Sequence, residues 1–243
     1  MNGDFRRIAK ALIKPLLNWF QNFGRTIREI SWLSRRNGQV ERYYLTQGNK
    51  KLNIGCGANL LNGWLNADFN PGTLDVLFLD ASQRFPLKDC SFDYVFSEHM
   101  IEHIPYDQGL QMLRECYRVL KPGGRLRIET PDLTKMIGLF STEKSKEHMS
   151  YIDWSIGKFS HSDEVRVFHE CFVLNRMVRE WGHQFIYDAW TLSHAMSAVG
   201  FKNCRQLAVG NSEDLQFMNI EGHNDISGVA MNAYETLVIE AEK

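Results

Sequence analysis

Gly55-Cys56-Gly57 directly follows the apolar run Leu52-Asn53-Ile54. A glycine pair at the end of a strand lets backbone amides come close to a ligand, because glycine carries no Cβ and tolerates positive φ. Two acidic residues follow, Asp68, eleven positions past Gly57, and Asp80. Each closes a short apolar stretch, although either alone would also serve as a loop residue or a helix cap. A third constellation, Ser97-Glu98-His99 followed by Glu102-His103, ends the apolar run Phe92–Phe96 and brings two imidazoles close to the glycine turn. Histidine is the side chain best suited to take a proton from a hydroxyl near neutral pH.

Strands alternating with helices are needed to position these residues. Strands are predicted at 51–54, 64–67, 75–79, 92–97, 125–130, about 203–209 and about 233–241. Asp107 reads as an N-cap, with Leu110, Leu113, Cys116/Tyr117 and Leu120 as the buried stripe of the helix behind it. Lys121-Pro122-Gly123-Gly124 ends that helix and turns the chain into the fifth strand. Thr191 to Val199 reads as the last helix, stopped by Gly200. The expected fold class is α/β, a doubly wound, seven-stranded, Rossmann-like sheet. Residues 132–188 fit no regular crossover and read as a helical insertion, a lid over the carboxyl ends of the strands. Residues 1–38 read as a separate basic arm and 39–243 as the folded domain. In the arm Phe5, Ile8, Leu12, Leu16, Trp19, Phe20 and Phe23 recur at helical spacing with cations between them. That face would pack on its own domain, on a partner subunit, or on an anionic membrane.

Composition bounds the function. The 243 residues carry a net charge of −1, with 44% apolar and 23% charged residues, ordinary for a globular α/β protein. The arm holds eight basic residues against two acidic ones, so 39–243 is acidic at −7, which argues against a nucleic-acid substrate. Cys56, Cys90, Cys116, Cys171 and Cys204 are odd in number and form no C-x-x-C pair, as expected of a chain kept reduced in the cytoplasm. A dinucleotide fingerprint would need glycine at position 60, where Leu60 stands, and an acidic residue about 20 positions beyond the glycines, later than Asp68. The string His99-Met100-Ile101-Glu102-His103 matches an inverted zinc-protease motif, with both histidines on one helical face and Glu102 as base. Pro105 limits any helix there and no third ligand is evident, so no metal is expected.

The ordered series Asn53-Ile54-Gly55-Cys56-Gly57, Gly63-Trp64-Leu65-Asn66-Ala67-Asp68, Phe85-Pro86-Leu87, Ser91-Phe92-Asp93-Tyr94-Val95, Ser97-Glu98-His99, Glu102-His103, Arg118–Gly124 and Pro131-Asp132-Leu133 resembles class I S-adenosylmethionine (SAM) dependent methyltransferases. Among them it is most similar to the bacterial subgroup associated with polysaccharide and cell-envelope biosynthesis. The resemblance covers about residues 50–133. It implies SAM as cofactor, held at Asn53, Gly55, Cys56, Gly57, Asp68, Phe69, Asp80, Ala81, Ser97, Glu98 and His99. Asp68 would bind the ribose hydroxyls and Asp80 with Ala81 the adenine. His103 and His99 are the catalytic candidates, His103 as general base for an acceptor hydroxyl. The implied activity is methylation of a sugar or a glycan- or lipid-linked intermediate. A small lipid-like or quinone acceptor and a non-catalytic SAM-binding protein are the alternatives. Tyr151, Trp154, His161, His169, Asn175, Arg179, Trp181, His183 and Tyr187 are the insertion's candidates for meeting the acceptor. Expected partners are a small-molecule or glycan acceptor, peripheral contact with the inner membrane face through residues 1–38, and a homo-oligomer.

Overall fold

The structure, a computed structural model, describes residues 30–159 and 168–243. It divides into two compact units, with the boundary between Leu45 and Thr46. Of the first unit, the described part is a helix over residues 30–44, α1. The remainder of the basic arm, and His161 of the insertion, lie outside the described residues. Among the described residues no helix is long and apolar enough to cross a membrane.

The second unit is built on a seven-stranded sheet in the order β3-β2-β1-β4-β5-β7-β6. The strands are β1 (Lys51–Ile54), β2 (Leu65–Asp68), β3 (Leu77–Phe78), β4 (Phe92–Glu98), β5 (Leu120–Pro131), β6 (Lys202–Leu207) and β7 (Thr236–Glu242). The first five run parallel, while β7 is inserted antiparallel between β5 and β6. The expected doubly wound fold is borne out. Central strands are apolar on both faces because helices and loops cover both: Leu52, Phe92, Val95, Phe96, Leu126 and Ile128 are all buried.

Helix α2 (Tyr106–Val119) crosses from β4 to β5. Its N-cap is Pro105, so Asp107 lies inside the first turn, where its charge complements the helix dipole, rather than capping it. Its buried stripe is Gly109, Met112, Leu113, Glu115, Cys116 and Val119; Leu110 and Tyr117 flank it half-buried. Gly109 is required there because a Cβ would stand 2.5 Å from the Tyr187 hydroxyl. The chain passes from α2 straight into β5 at Leu120, and an irregularity opposite Phe92 and Tyr94 absorbs Lys121–Gly124.

The insertion contains α3 (Leu133–Gly138), α4 (Lys146–Phe159) and α5 (Glu170–Arg179), with a core of its own around Met136, Leu139, Tyr151, Ile152, Ile156, Val173 and Met177. Phe172 and Trp181 stay about half exposed, and Trp154 packs against that core. Helix α6 (Ala189–Val199), capped by Asp188 and stopped by a left-handed Gly200, packs beside α2. Two short helices, α7 (Asn224–Ser227) and α8 (Val229–Glu235), occupy the connection from β6 to β7, where the sequence predicts no element, and α8 takes the first residues of the strand expected at about 233–241.

Candidate active site

Two cavities meet above the carboxyl ends of the parallel strands. The first, about 540 Å³, lies over β1 and β2 and is lined by Gly55, Asp68, Phe69, Asp80, Ala81 and Ser82, with His99 and His103 at its far end. Gly55 and Cys56 both donate backbone N–H groups to Ala67 O, at 2.9 and 3.0 Å. Gly57 N donates to Asp68 Oδ2 at 2.9 Å, and Asn70 N donates to Asp68 Oδ1 at 2.7 Å. The turn and the carboxylate therefore fix each other, and Asp68 keeps lone pairs for a ligand. Gly55 has φ +69°, and a Cβ on it would stand 2.3 Å from Met100 Cγ. Asp80 accepts from Ser82 N at 2.9 Å and Ser82 Oγ at 2.7 Å through one oxygen, Oδ1. Phe69, 41% exposed, offers an aromatic face beside Asp68, with its ring 5.9 Å from Phe78.

Four residues expected to hold the cofactor do not present their side chains to this cavity. Asn53 is buried on the face opposite the cavity, where Nδ2 donates to Asn59 O (2.9 Å) and Asn66 Oδ1 (3.0 Å). Successive strand residues point to opposite faces, so Ile54 lines the cavity and Asn53 cannot. The same alternation separates Ser97 from Glu98. Glu98 accepts from Asn59 Nδ2 (3.1 Å), Gly222 N (2.9 Å) and His223 N (2.9 Å), which ties down the loop before α7. Ser97 is buried, its hydroxyl without a hydrogen-bond partner. Cys56 contributes backbone only: burial first, then the nearby Asp68 charge, pushes its thiol up to about 12.

The second cavity, about 280 Å³, is roofed by the insertion and floored by the α7–α8 segment. Tyr151, Trp154, Phe159 and Trp181 supply aromatic walls; His183, His223, Ser227 and Glu235 supply polar groups. His99 and His103 line both cavities and form the wall between them. Glu235 accepts from Tyr151, from Ser227 Oγ at 2.7 Å and from His223 Nε2 at 3.1 Å. Burial alone would raise its carboxyl, but the His223 and Tyr151 hydrogen bonds outweigh this and hold it below the usual range. Burial and the Glu235 charge in turn keep Tyr151 a neutral phenol.

His99 is largely committed. Thr236 Oγ1 donates its proton to Asn232 Oδ1 at 2.6 Å, so His99 Nε2, 3.0 Å away, must donate to Thr236. Its Nδ1 faces Glu102 Oε1 at 3.4 Å, and its ring stacks on His223 at 3.8 Å. Burial would lower its pKa, but the Glu102 interaction and the nearby Glu235 and Glu98 charges raise it to about 9. This leaves His99 without the free lone pair that a base needs. His103 is different: its side chain is 37% exposed at the junction of the two cavities.

Of the insertion's candidates, Tyr151, Trp154, Trp181 and His183 line the second cavity. His169 instead caps α5, its Nδ1 accepting from Cys171 N at 3.2 Å. Asn175 donates to Cys171 O, Arg179 lies on an exposed turn of α5, and Tyr187 is buried under Tyr106 and Phe185. His223, Ser227 and Glu235 were not anticipated. The available signals were faint: His223 and Ser227 four apart, between Gly222 and Gly228.

Residues 52–128 match the family model described as a methyltransferase domain. A protein of Mycolicibacterium smegmatis named "Probable S-adenosylmethionine-dependent methyltransferase/" is 47% identical over 49 residues, 20% of this chain and 18% of that protein. "Methyltransferase GfsG" of Streptomyces halstedii is 30% identical over 112 residues, 36% of this chain and 40% of its own length. The chain thus spans less than half the length of either curated relative. A solved SAM-dependent methyltransferase from Archaeoglobus fulgidus aligns over 89% of this chain and 94% of its own, at 18% identity and a TM-score of 0.49. Over 52–128 the expectation of a methyltransferase domain is borne out.

Proposed function

We propose that this chain is a SAM-dependent methyltransferase acting on an acceptor hydroxyl, of a sugar or a glycan- or lipid-linked biosynthetic intermediate. The observation that carries the reading is the pair of cavities sharing the His99–His103 wall. One fits the donor and the other fits a hydroxylated acceptor. Three features support a fit to SAM: the Gly55 turn packs so closely on Met100 that only glycine is accommodated, Asp68 and Asp80 present carboxylates, and Phe69 presents a ring. When bound, SAM supplies an electrophilic methyl whose bonding pair leaves with sulfur. The chain's own task is then alignment, the main source of rate in a displacement that develops little new charge. Trp154, Phe159 and Trp181 exclude water and pack on the apolar face of a ring. Glu235, with Ser227 and His223, accepts from and donates to hydroxyls. His103 meets the reacting hydroxyl and takes its proton.

Calorimetry with SAM and with its demethylated product tests the donor half, and saturable binding is the expected result. Transfer of labelled methyl to a panel of sugar, lipid-like and quinone acceptors tests the other half. Transfer confined to the non-sugar acceptors would overturn the sugar assignment, and donor binding with no transfer to any acceptor would point to a non-catalytic protein. Approach to a membrane-borne acceptor through residues 1–38 belongs to the same proposal. It falls if liposome flotation is the same with and without them.

A further inference from the structure

Methyl transfer by alignment does not by itself require the cluster at the inner end of the acceptor cavity. Glu102, His103 and His183 each bring one potential ligand atom to within 4.8 Å of the others. Glu102 is fully buried; its Oε2 accepts from Thr130 Oγ1 at 3.0 Å, while Oε1 makes no close hydrogen bond and meets only the long His99 contact. The groups nearest that oxygen are His99 Nδ1 at 3.4 Å and His103 Nε2 at 4.0 Å. His183 Nδ1 lies 2.5 Å from Met177 O, so it must donate there. This fixes the tautomer and leaves the Nε2 lone pair free, the arrangement usual in metal-bound histidines.

The two segments that carry these groups lie about eighty residues apart in sequence, yet they are stitched together. Gln184 N and Phe185 N donate to Glu102 O at 2.7 and 3.2 Å, and Gln184 Nε2 donates to His103 O at 3.0 Å. As a result the His103 and His183 rings meet edge to face at 4.9 Å. The His99 contact accounts for the Glu102 charge, but not for a third imidazole being fastened beside it. The grouping also differs from the one suggested by the H-x-x-E-H string. Residues 101–103 form a single 3-10 turn, and His99, at φ +44°, gives its Nε2 to Thr236 and keeps only Nδ1 beside Glu102.

We infer that Glu102, His103 and His183 form a binding site for one divalent first-row transition metal, such as zinc, whose remaining coordination positions open into the acceptor cavity. Two imidazoles and one carboxylate are a donor set such ions favour, and three protein ligands leave positions open to an exogenous oxygen. Ligand atoms on a tetrahedral zinc stand about 3.3 Å apart, so the cluster, spread over up to 4.8 Å, must contract by up to about 1.5 Å. The half-exposed His103 is free to supply that movement. The cation would grip an oxygen of the acceptor beside the donor cavity. In this the inference rests on the proposed function; the binding of the ion does not. A His103 that ligates a metal does not also act as the base, so the experiment also decides between its two roles.

The full chain, stripped with chelator, is titrated with Zn²⁺ by calorimetry and with Co²⁺ by visible absorption. One equivalent is expected, with the intense bands of low-coordinate cobalt. His103→Ala and His183→Ala should each weaken binding at least about tenfold, while His169→Ala, at the α5 cap, should not. Because His103 is half-exposed, its variant should stay folded even if removal of His183 disturbs the Met177 contact. Lack of saturable binding, or binding that survives both substitutions, would overturn the inference. Binding of the demethylated donor product is measured in parallel. Its retention when the metal fails to bind sinks the metal site alone, and its absence when the metal binds sinks the methyltransferase reading alone.

Discussion

At the scale of single residues, Gly55 and Asp68 carry the donor cavity for different reasons. Gly55 needs both its positive φ and its missing Cβ, whereas Gly57, at φ +49°, has nothing within 4 Å of where a Cβ would go. Gly57→Ala therefore adds only conformational strain, on the order of 1–2 kcal/mol. Gly55→Ala adds that strain and also drives Met100 aside. Calorimetry with the demethylated product of SAM should show near-complete loss of binding for Gly55→Ala and only a partial loss for Gly57→Ala; equal losses would remove the role given to the Met100 contact. Asp68→Asn keeps one oxygen and places an amide N–H₂ against one of the two backbone N–H groups that now donate to the carboxylate. Losing one charge-assisted hydrogen bond costs about 1.5–3 kcal/mol. The dissociation constant should therefore rise by roughly 10- to 150-fold in the same measurement.

At the scale of elements, the informative case is the end of β4. Glu98 and its partner loop hold His223 at the floor of the acceptor cavity through three hydrogen bonds, two of them from backbone N–H groups. Glu98→Ala strands those donors at a cost of about 2–4 kcal/mol. For a domain of this size the melting temperature should fall by roughly 4–16 °C. Affinity for the acceptor should fall while affinity for SAM holds. Equal loss of both would mean that Glu98 serves the donor after all. The same strand shows what was legible in the sequence. The glycine turn, Asp68, Asp80 and the β1–β5 order are written in local signals: short apolar runs closed by an acid or a glycine. Which of two neighbouring strand residues faces a ligand depends on the period of two and on what covers each face, so the sequence did not show that the Asn53 and Glu98 side chains bond away from the cavity. Helices α7 and α8, of four and seven residues, are too short to show a period, and Glu235 and Thr236 blended into the strand behind them. The floor of the acceptor cavity was hidden for that reason. His183 was visible as a histidine, but its meeting with Glu102 depends on backbone hydrogen bonds that no spacing encodes.

At the scale of the whole domain, the sheet buries a charge network that must affect stability. Arg127 is fully buried on β5; Nε donates to Glu129 at 2.5 Å, Nη1 to Glu240 at 2.8 Å and to Asn211 O at 2.9 Å, and Nη2 to Glu221. One guanidinium thus faces three carboxylates, with Arg125 assisting only Glu240, at 3.5 Å. Glu129 Oε2 is buried without a partner. Burial pushes the Glu129 carboxyl up to about 8 from 4.5; Arg127 opposes this, while Glu221 and Glu98 add to it. A carboxyl whose folded pKa exceeds its unfolded value binds a proton on folding, so its contribution is fully present below 4.5 and is lost as pH rises toward 8. Glu129→Gln mimics the protonated form and does not titrate. Melting temperatures of the wild type and this variant, measured across pH 5 to 9, should therefore diverge. The variant should gain on the wild type steadily up to about pH 8 and keep a constant lead above it. Every other group titrates in both proteins, so the difference isolates this carboxyl. Parallel profiles would mean that Arg127 alone keeps Glu129 ionised, and that the network carries its excess negative charge buried.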